Sequence, residues 1–206
     1  EVIRIIKAVD SSIKIILGGP ELSYEWEKRE HLQHCDYLVR GEGEVTFYQI
    51  CSQILANVPP REKVWMGSPP DVASMTLPYS LYTDEDIANR VIYVEASRGC
   101  PFRCQFCLSS LDQKVRNVPI DVFLGEMKNL LDRGVRQFKF VDRTFNLAPK
   151  TSTAILSFFL NNYVEGLFLH FEMVPDRFPE VLRSWVKKFP VGSIQFEVGI
   201  QTFNEE

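Results

Sequence analysis

Apolar and polar positions follow two rhythms along the chain, and their alternation sets the expected fold class. Val2, Ile3, Ile5, Ile6 and Val9 give residues 1–9 the pattern of a helix. Residues 13–17 form a short β-branched run closed by Gly18-Gly19-Pro20, a strand entering a tight turn. Residues 24–33 are charged and helical in tendency, and 36–39 make a second strand. Gly41-Glu42-Gly43-Glu44 then leads into a helix over 45–55, with Phe47, Ile50, Cys51 and Ile54 as its apolar positions. Strands alternating with helices predict βαβ units and a parallel sheet. Two strands are too few for a domain, so residues 1–57 are expected to be the C-terminal part of one.

Residues 58–90 break the rhythm. Pro59-Pro60, Pro69-Pro70 and Pro78 fall here without a periodic apolar face, which predicts a linker or wrapping segment. From residue 91 the alternation resumes, with strands expected over 91–97, 137–141, 167–172 and 194–200. Helices are expected over 121–133, 150–163 and 179–188. In the first of these helices Phe123, Met127, Leu130 and Leu131 share one face and Gly134 closes the end. The strands alternate cleanly. Ile194, Phe196, Val198 and Ile200 interleave with Gln195, Glu197, Gly199 and Gln201, and Leu167, Leu169, Phe171 and Met173 with Phe168, His170 and Glu172. Helices should cover the apolar faces, Phe171 and Ile200 included. Glu95, Ser97, Glu172 and Gln201 should then line the inside of a curved sheet. Burying carboxylates there costs free energy unless something pairs with them, and a polar ligand in a barrel lumen is the simplest such partner. An open sheet with one wet face has the same periodicity.

Composition narrows the classes. The 206 residues carry 23 basic and 27 acidic side chains, a net charge of −4, and 45% are apolar, an ordinary globular balance. No apolar run is long enough to span a membrane, and no basic stripe offers capture of nucleic acid. The first residue is Glu, and the chain stops after a strand, so a fragment of a longer protein is expected.

The five cysteines are an odd number, and three of them fall within eight residues, the layout of a metal site in a reducing compartment rather than of a disulfide scaffold. The segment Ser97-Arg98-Gly99-Cys100-Pro101-Phe102-Arg103-Cys104-Gln105-Phe106-Cys107 follows a strand directly. Three soft ligands on one tight loop suit zinc or an iron–sulfur cluster. A structural zinc site normally closes with four ligands, and no fourth Cys or His lies nearby in sequence. Three cysteines on a four-iron cluster leave one iron free to bind a substrate, so a 4Fe-4S cluster on Cys100, Cys104 and Cys107 is the favoured reading.

At these residues the sequence resembles the radical S-adenosylmethionine (radical SAM) enzymes, whose cluster motif lies in the loop after the first strand of a partial β/α barrel, with an aromatic, here Phe106, before the third cysteine. The resemblance implies S-adenosylmethionine chelated to the open iron and cleaved by one electron to a 5′-deoxyadenosyl radical. It also implies an electron donor such as flavodoxin or ferredoxin and a cytoplasmic location. Matching the family's pattern assigns S-adenosylmethionine contacts to Phe106, to Asp142 at the end of the second strand, to Glu172 at the end of the third, to Arg177 after it, and to Gln201 in Glu197-Val198-Gly199-Ile200-Gln201. The family's usual Gly-Gly-Glu near Asp142 is absent, as are its fifth- and sixth-strand motifs. Residues 91–206 therefore read as a truncated (β/α)6 partial TIM-type barrel.

The N-terminal Ile15-Ile16-Leu17-Gly18-Gly19-Pro20-Glu21, followed by Arg40-Gly41-Glu42-Gly43-Glu44, resembles the end of the Rossmann-like cobalamin-binding domain that precedes the barrel in one radical SAM subgroup. There Gly18 and Gly19 would let the backbone approach the cofactor's nucleotide tail. The implied outcome is methyl transfer or rearrangement on an unknown substrate. Two rivals stand beside it: a radical SAM enzyme without cobalamin, such as a methylthiotransferase-like RNA modifier, and a non-enzymatic zinc module.

Overall fold

The computed structural model describes every residue except Arg29, Gln113, Arg177, 201–203, 205 and 206, with the backbone alone for Glu30, His31 and Leu111. Two units emerge, Glu1–Asp71 and Val72–Glu206.

In the first unit helix α1 (Val2–Val9) precedes strand β1 (Ile16–Leu17), the short helix α2 (Pro20–Ser23), strand β2 (Tyr37–Arg40), helix α3 (Glu44–Leu55) and strand β3 (Val64–Met66). The three strands form a parallel sheet in the order β1-β2-β3. Alternation along β2 divides its side chains between two small cores. Tyr37 and Val39 pack with Ile50 of α3, whereas Leu38 packs with Leu32 and Cys35 on the opposite side. The charged stretch expected as a helix over 24–33 folds instead as two 3-10 turns, Trp26–Lys28 and Glu30–His34. Asp36 ties α1 to the sheet: its carboxylate meets the Lys7 ammonium at 2.6 Å and accepts the Ile15 N–H.

Strand β3 corrects the expectation of a linker over 58–90. Its three residues are too few to show a periodicity, and the sheet's backbone ladder with β2 supplies the order that propensity does not. The boundary between the units falls after Asp71, inside that stretch.

The second unit opens with a 3-10 turn, Pro78–Leu81, and helix α4 (Asp84–Asn89), also within the expected linker. A capping box explains the helix, because Thr83 and Asp86 exchange side-chain and backbone hydrogen bonds. Strand β4 (Ile92–Val94) follows, then the antiparallel pair β5 (Ser97–Arg98) and β6 (Arg116–Asn117). Helix α5 (Ile120–Asp132), strand β7 (Gln137–Phe140), helix α6 (Pro149–Asn161), strand β8 (Phe168–Met173), helix α7 (Glu180–Val186) and strand β9 (Ile194–Val198) complete it. The sheet runs β4-β7-β8-β9, parallel and in chain order, as successive β/α units of a barrel wall do. The fold is α/β with parallel sheets, of the Rossmann and partial TIM-barrel kind.

One face of this sheet makes the core. Ile92, Val94, Phe138, Phe140, Leu169 and Phe171 are buried against Phe123, Met127, Ile155, Leu156 and Phe159 of α5 and α6. The expected burial of Phe171 is met, with its ring stacked on Phe145 at 4.0 Å. Ile200, expected to face helices as well, is exposed, because it lies beyond Met173 and Val198, the last paired positions of β8 and β9. No described helix is long and apolar enough to cross a membrane.

Candidate functional site

The cysteine loop grows from the point where β4 leaves its neighbour. The last β4–β7 pair is Val94 with Phe140, after which the Val141 N–H still reaches the Val94 carbonyl. Beyond Val94 the β4–β7 ladder ends, and side chains take over the N–H groups that it leaves, while the Ala96 carbonyl accepts from the Val118 N–H at 2.9 Å. The Glu95 N–H donates to the Tyr79 hydroxyl at 2.8 Å, the Ala96 N–H to the Asp142 carboxylate at 3.0 Å, and the Ser97 hydroxyl to the other Asp142 oxygen at 2.6 Å. The β5–β6 pair then closes the neck of the loop. At Gly99 the backbone turns with φ +93°, and a β-carbon there would sit 2.5 Å from the Lys114 carbonyl, so glycine is required. Cys100 follows, its N–H donating to the Asp112 carbonyl.

Cys104 and Cys107 are joined by a turn in which the Cys107 N–H meets the Cys104 carbonyl at 3.1 Å. Cys107 heads the 3-10 helix Leu108–Leu111, and donation from the backbone N–H and hydroxyl of Ser109 holds its thiol below the usual range. Cys100 and Cys107 are half-buried, Cys104 is exposed, and none is in a disulfide. Phe106, directly before Cys107 in the chain, is 75% exposed. Among the described residues no three His, Cys, Asp or Glu side chains converge on one ion position. The donor chemistry nevertheless fits a soft metal centre: three unpaired thiols on one loop, one of them biased toward the ligating thiolate.

The face of the sheet away from the helices is polar. Tyr93, Lys139, His170 and Gln195 stand in register across β4, β7, β8 and β9. Lys139 lies over the Tyr93 ring, and Glu197 approaches His170 at 3.3 Å and Lys139 at 3.8 Å. Nearer the strand ends, Glu172 is half-buried and pairs with Arg143 at 3.0 Å, and Glu95 pairs with Arg98 at 2.9 Å.

Asp142 differs from the other expected contacts. Burial is the main influence on its carboxyl and raises its pKa to about 6, against the opposing pull of Ser97 and the Ala96 N–H. Both of its oxygens are engaged by the lead-in to the loop. Arg177 and Gln201 lie outside the described residues. Gly18 and Gly19 line a crevice of about 470 Å³ at the ends of β1 and β2, together with Gly41, Gly43 and Phe47. Tyr79 and Arg143 have no role in the sequence pattern; each acts through a partner distant in the chain, Glu95 and Glu172, for which a lone sequence gives no local signal.

Comparison with protein-family models decides the family, since the Radical SAM superfamily model matches residues 94–206, more than half the chain. The chain belongs to the radical SAM superfamily. The match begins at the end of β4 and takes in the cysteine loop and the rest of the parallel sheet. An uncharacterized methyltransferase of Pyrococcus horikoshii, PH0819, is 28% identical over 178 residues, 75% of this chain and 38% of that protein. The ribosomal protein uS12 methylthiotransferase RimO of Chlamydia felis is 31% identical over 137 residues, 65% of this chain and 27% of that protein. The chain thus spans well under half the length of these relatives. Among solved structures, the radical S-adenosylmethionine methyltransferase TsrM of Kitasatospora setae superposes with TM-score 0.69 at 14% identity, over 99% of this chain and 44% of that one. A second TsrM structure, with cobalamin and a [4Fe-4S] cluster bound, gives 0.66 over 96% of this chain. At such identity the likeness concerns the fold.

Proposed function

We propose that this chain is the cofactor-binding part of a cobalamin-dependent radical SAM enzyme that transfers a methyl group or rearranges its substrate. The observation that carries the reading is the three-thiol loop at the end of β4, beside an open polar sheet face. Cys100, Cys104 and Cys107 would hold a 4Fe-4S cluster. When bound, that cluster supplies the electron that cleaves S-adenosylmethionine to a 5′-deoxyadenosyl radical.

The chain's own residues would bind and orient. Phe106 offers an aromatic surface beside the third thiol. Glu172 offers a carboxylate to an amino or ribose hydroxyl group, sharing it with Arg143. Arg177 would meet the cofactor's carboxylate, and Gln201 its polar edge. Gly18 and Gly19 would border the cobalamin tail in the crevice of the first unit. Flavodoxin or ferredoxin would deliver the electron.

A second reading, a methylthiotransferase acting without cobalamin, draws on the likeness to RimO. Titration with cobalamin separates the two, since saturable binding sensitive to a bulky replacement of Gly18 supports the first. For the cluster, the expected result is about four irons per chain after anaerobic reconstitution, lost when all three cysteines become alanine. A triple variant that kept the full iron complement would overturn the assignment.

A further inference from the structure

The neck of the cysteine loop is held from two sides by buried side chains that come from elsewhere in the sequence. Where β4 leaves β7, the N–H groups of Glu95 and Ala96 are turned into the protein and need partners, because an unpaired buried N–H costs about as much as a lost hydrogen bond. Tyr79 takes the first, and its hydroxyl also donates back to the Glu95 carbonyl. Asp142 takes the second and adds the Ser97 hydroxyl. Tyr79 and Asp142 are each only 4% exposed, so neither bond competes with bulk water.

A cavity of about 190 Å³ lies against this neck, walled in part by Ser97, Pro101, Asn117, Asp142 and Thr144. The cavity matters because it leaves the loop without close packing on that side. Ala96 itself packs in the core and the β5–β6 ladder holds Ser97, so on the cavity side the neck is placed by its hydrogen bonds. Cys100 stands four residues beyond Ala96, with the obligatory Gly99 turn between them.

We propose that Asp142 and Tyr79 are positioning residues for the metal loop: they fix residues 95–97 and, through them, where Cys100 presents its thiol. The inference rests on the proposed cluster. It assigns Asp142 to the chain rather than to the cofactor, and it gives Tyr79 a role although it stands in the proline-rich stretch. A purely structural role would lower the stability of the protein without changing how a bound cluster is held.

The test reconstitutes wild type, Asp142→Ala, Asp142→Asn and Tyr79→Phe anaerobically. It measures the rate at which an iron chelator strips the cluster, alongside the unfolding midpoint of each metal-free protein. Supporting partners of metal ligands typically matter ten- to a hundredfold in affinity, so Asp142→Ala should lose its cluster about tenfold faster or more. Asp142→Asn should stay close to wild type, because an amide oxygen still accepts from Ala96 and its N–H can donate to the Ser97 oxygen. Tyr79→Phe should shift in the same direction as the alanine variant by less, and it carries the test should Asp142→Ala fail to fold. Stripping of Asp142→Ala and Tyr79→Phe at the wild-type rate, with only the unfolding midpoints lowered, would overturn the inference. So would an asparagine variant as labile as the alanine one. A wild-type protein that took up no iron would overturn the cluster reading itself, and the inference with it, a failure distinct from either of these.

Discussion

Asp142 is a buried acid whose ionisation opposes folding. Its carboxyl has a folded pKa of about 6 against 3.8 for the free side chain, with burial as the leading cause. The folded protein therefore holds the proton more tightly than the unfolded chain between those values, and stability falls as pH rises through that window. The displacement corresponds to at most about 3 kcal/mol. Asp142→Asn cannot ionise. Expected is that wild type loses stability relative to Asp142→Asn between about pH 4 and 6, with the difference level above that range. Denaturant unfolding of both proteins across pH 3.5–8, about the span of the titration, checks it; parallel curves would contradict the buried charge. At this scale legibility follows sequence distance. Cys100, Cys104 and Cys107 were visible because their chemistry is carried by local spacing. Asp142 was visible as a strand-end acid, but its partners Ala96 and Ser97 lie 46 and 45 residues away, and nothing in a single sequence announces such a contact.

Among the elements, the strands of the second unit show how far patterning reaches. All four expected strands form, within a few residues of the expected limits, because each alternates for long enough to expose its face. Phe140 and Tyr93 make the contrast measurable. Phe140 is fully buried and its ring meets those of Phe123, Phe145, Phe159 and Phe171, whereas Tyr93 on the neighbouring strand is on the polar face and 52% exposed. Phe140→Ala is expected to cost about 3–5 kcal/mol of stability. Tyr93→Ala should cost well under half of that, as its ring is already largely in water. Equal losses on urea unfolding would mean that the two faces are assigned wrongly. Some short elements escaped the pattern: β3, the β5–β6 pair and α4 are set by ladder bonds or a capping box rather than by periodicity.

For the whole molecule, the order of parts was legible, a parallel α/β piece followed by a second one carrying the cysteines. The division between them was not. Residues 58–90 look structureless in sequence, yet they give β3 to the first unit and Tyr79 and α4 to the second. Prolines mark where a chain bends and do not say which body each side joins. The substrate is legible at no scale, since the polar face formed by Lys139, His170 and Glu197 carries both signs of charge and selects no single chemistry.

The proposed cluster on Cys100, Cys104 and Cys107 would leave one iron open for S-adenosylmethionine. The electron paramagnetic resonance spectrum of the reduced, reconstituted protein, recorded with and without S-adenosylmethionine, tests it most directly. A 4Fe-4S signal that changes shape when S-adenosylmethionine is added is the expected result. A spectrum indifferent to saturating S-adenosylmethionine, or a protein that binds zinc and shows no cluster signal, would contradict it.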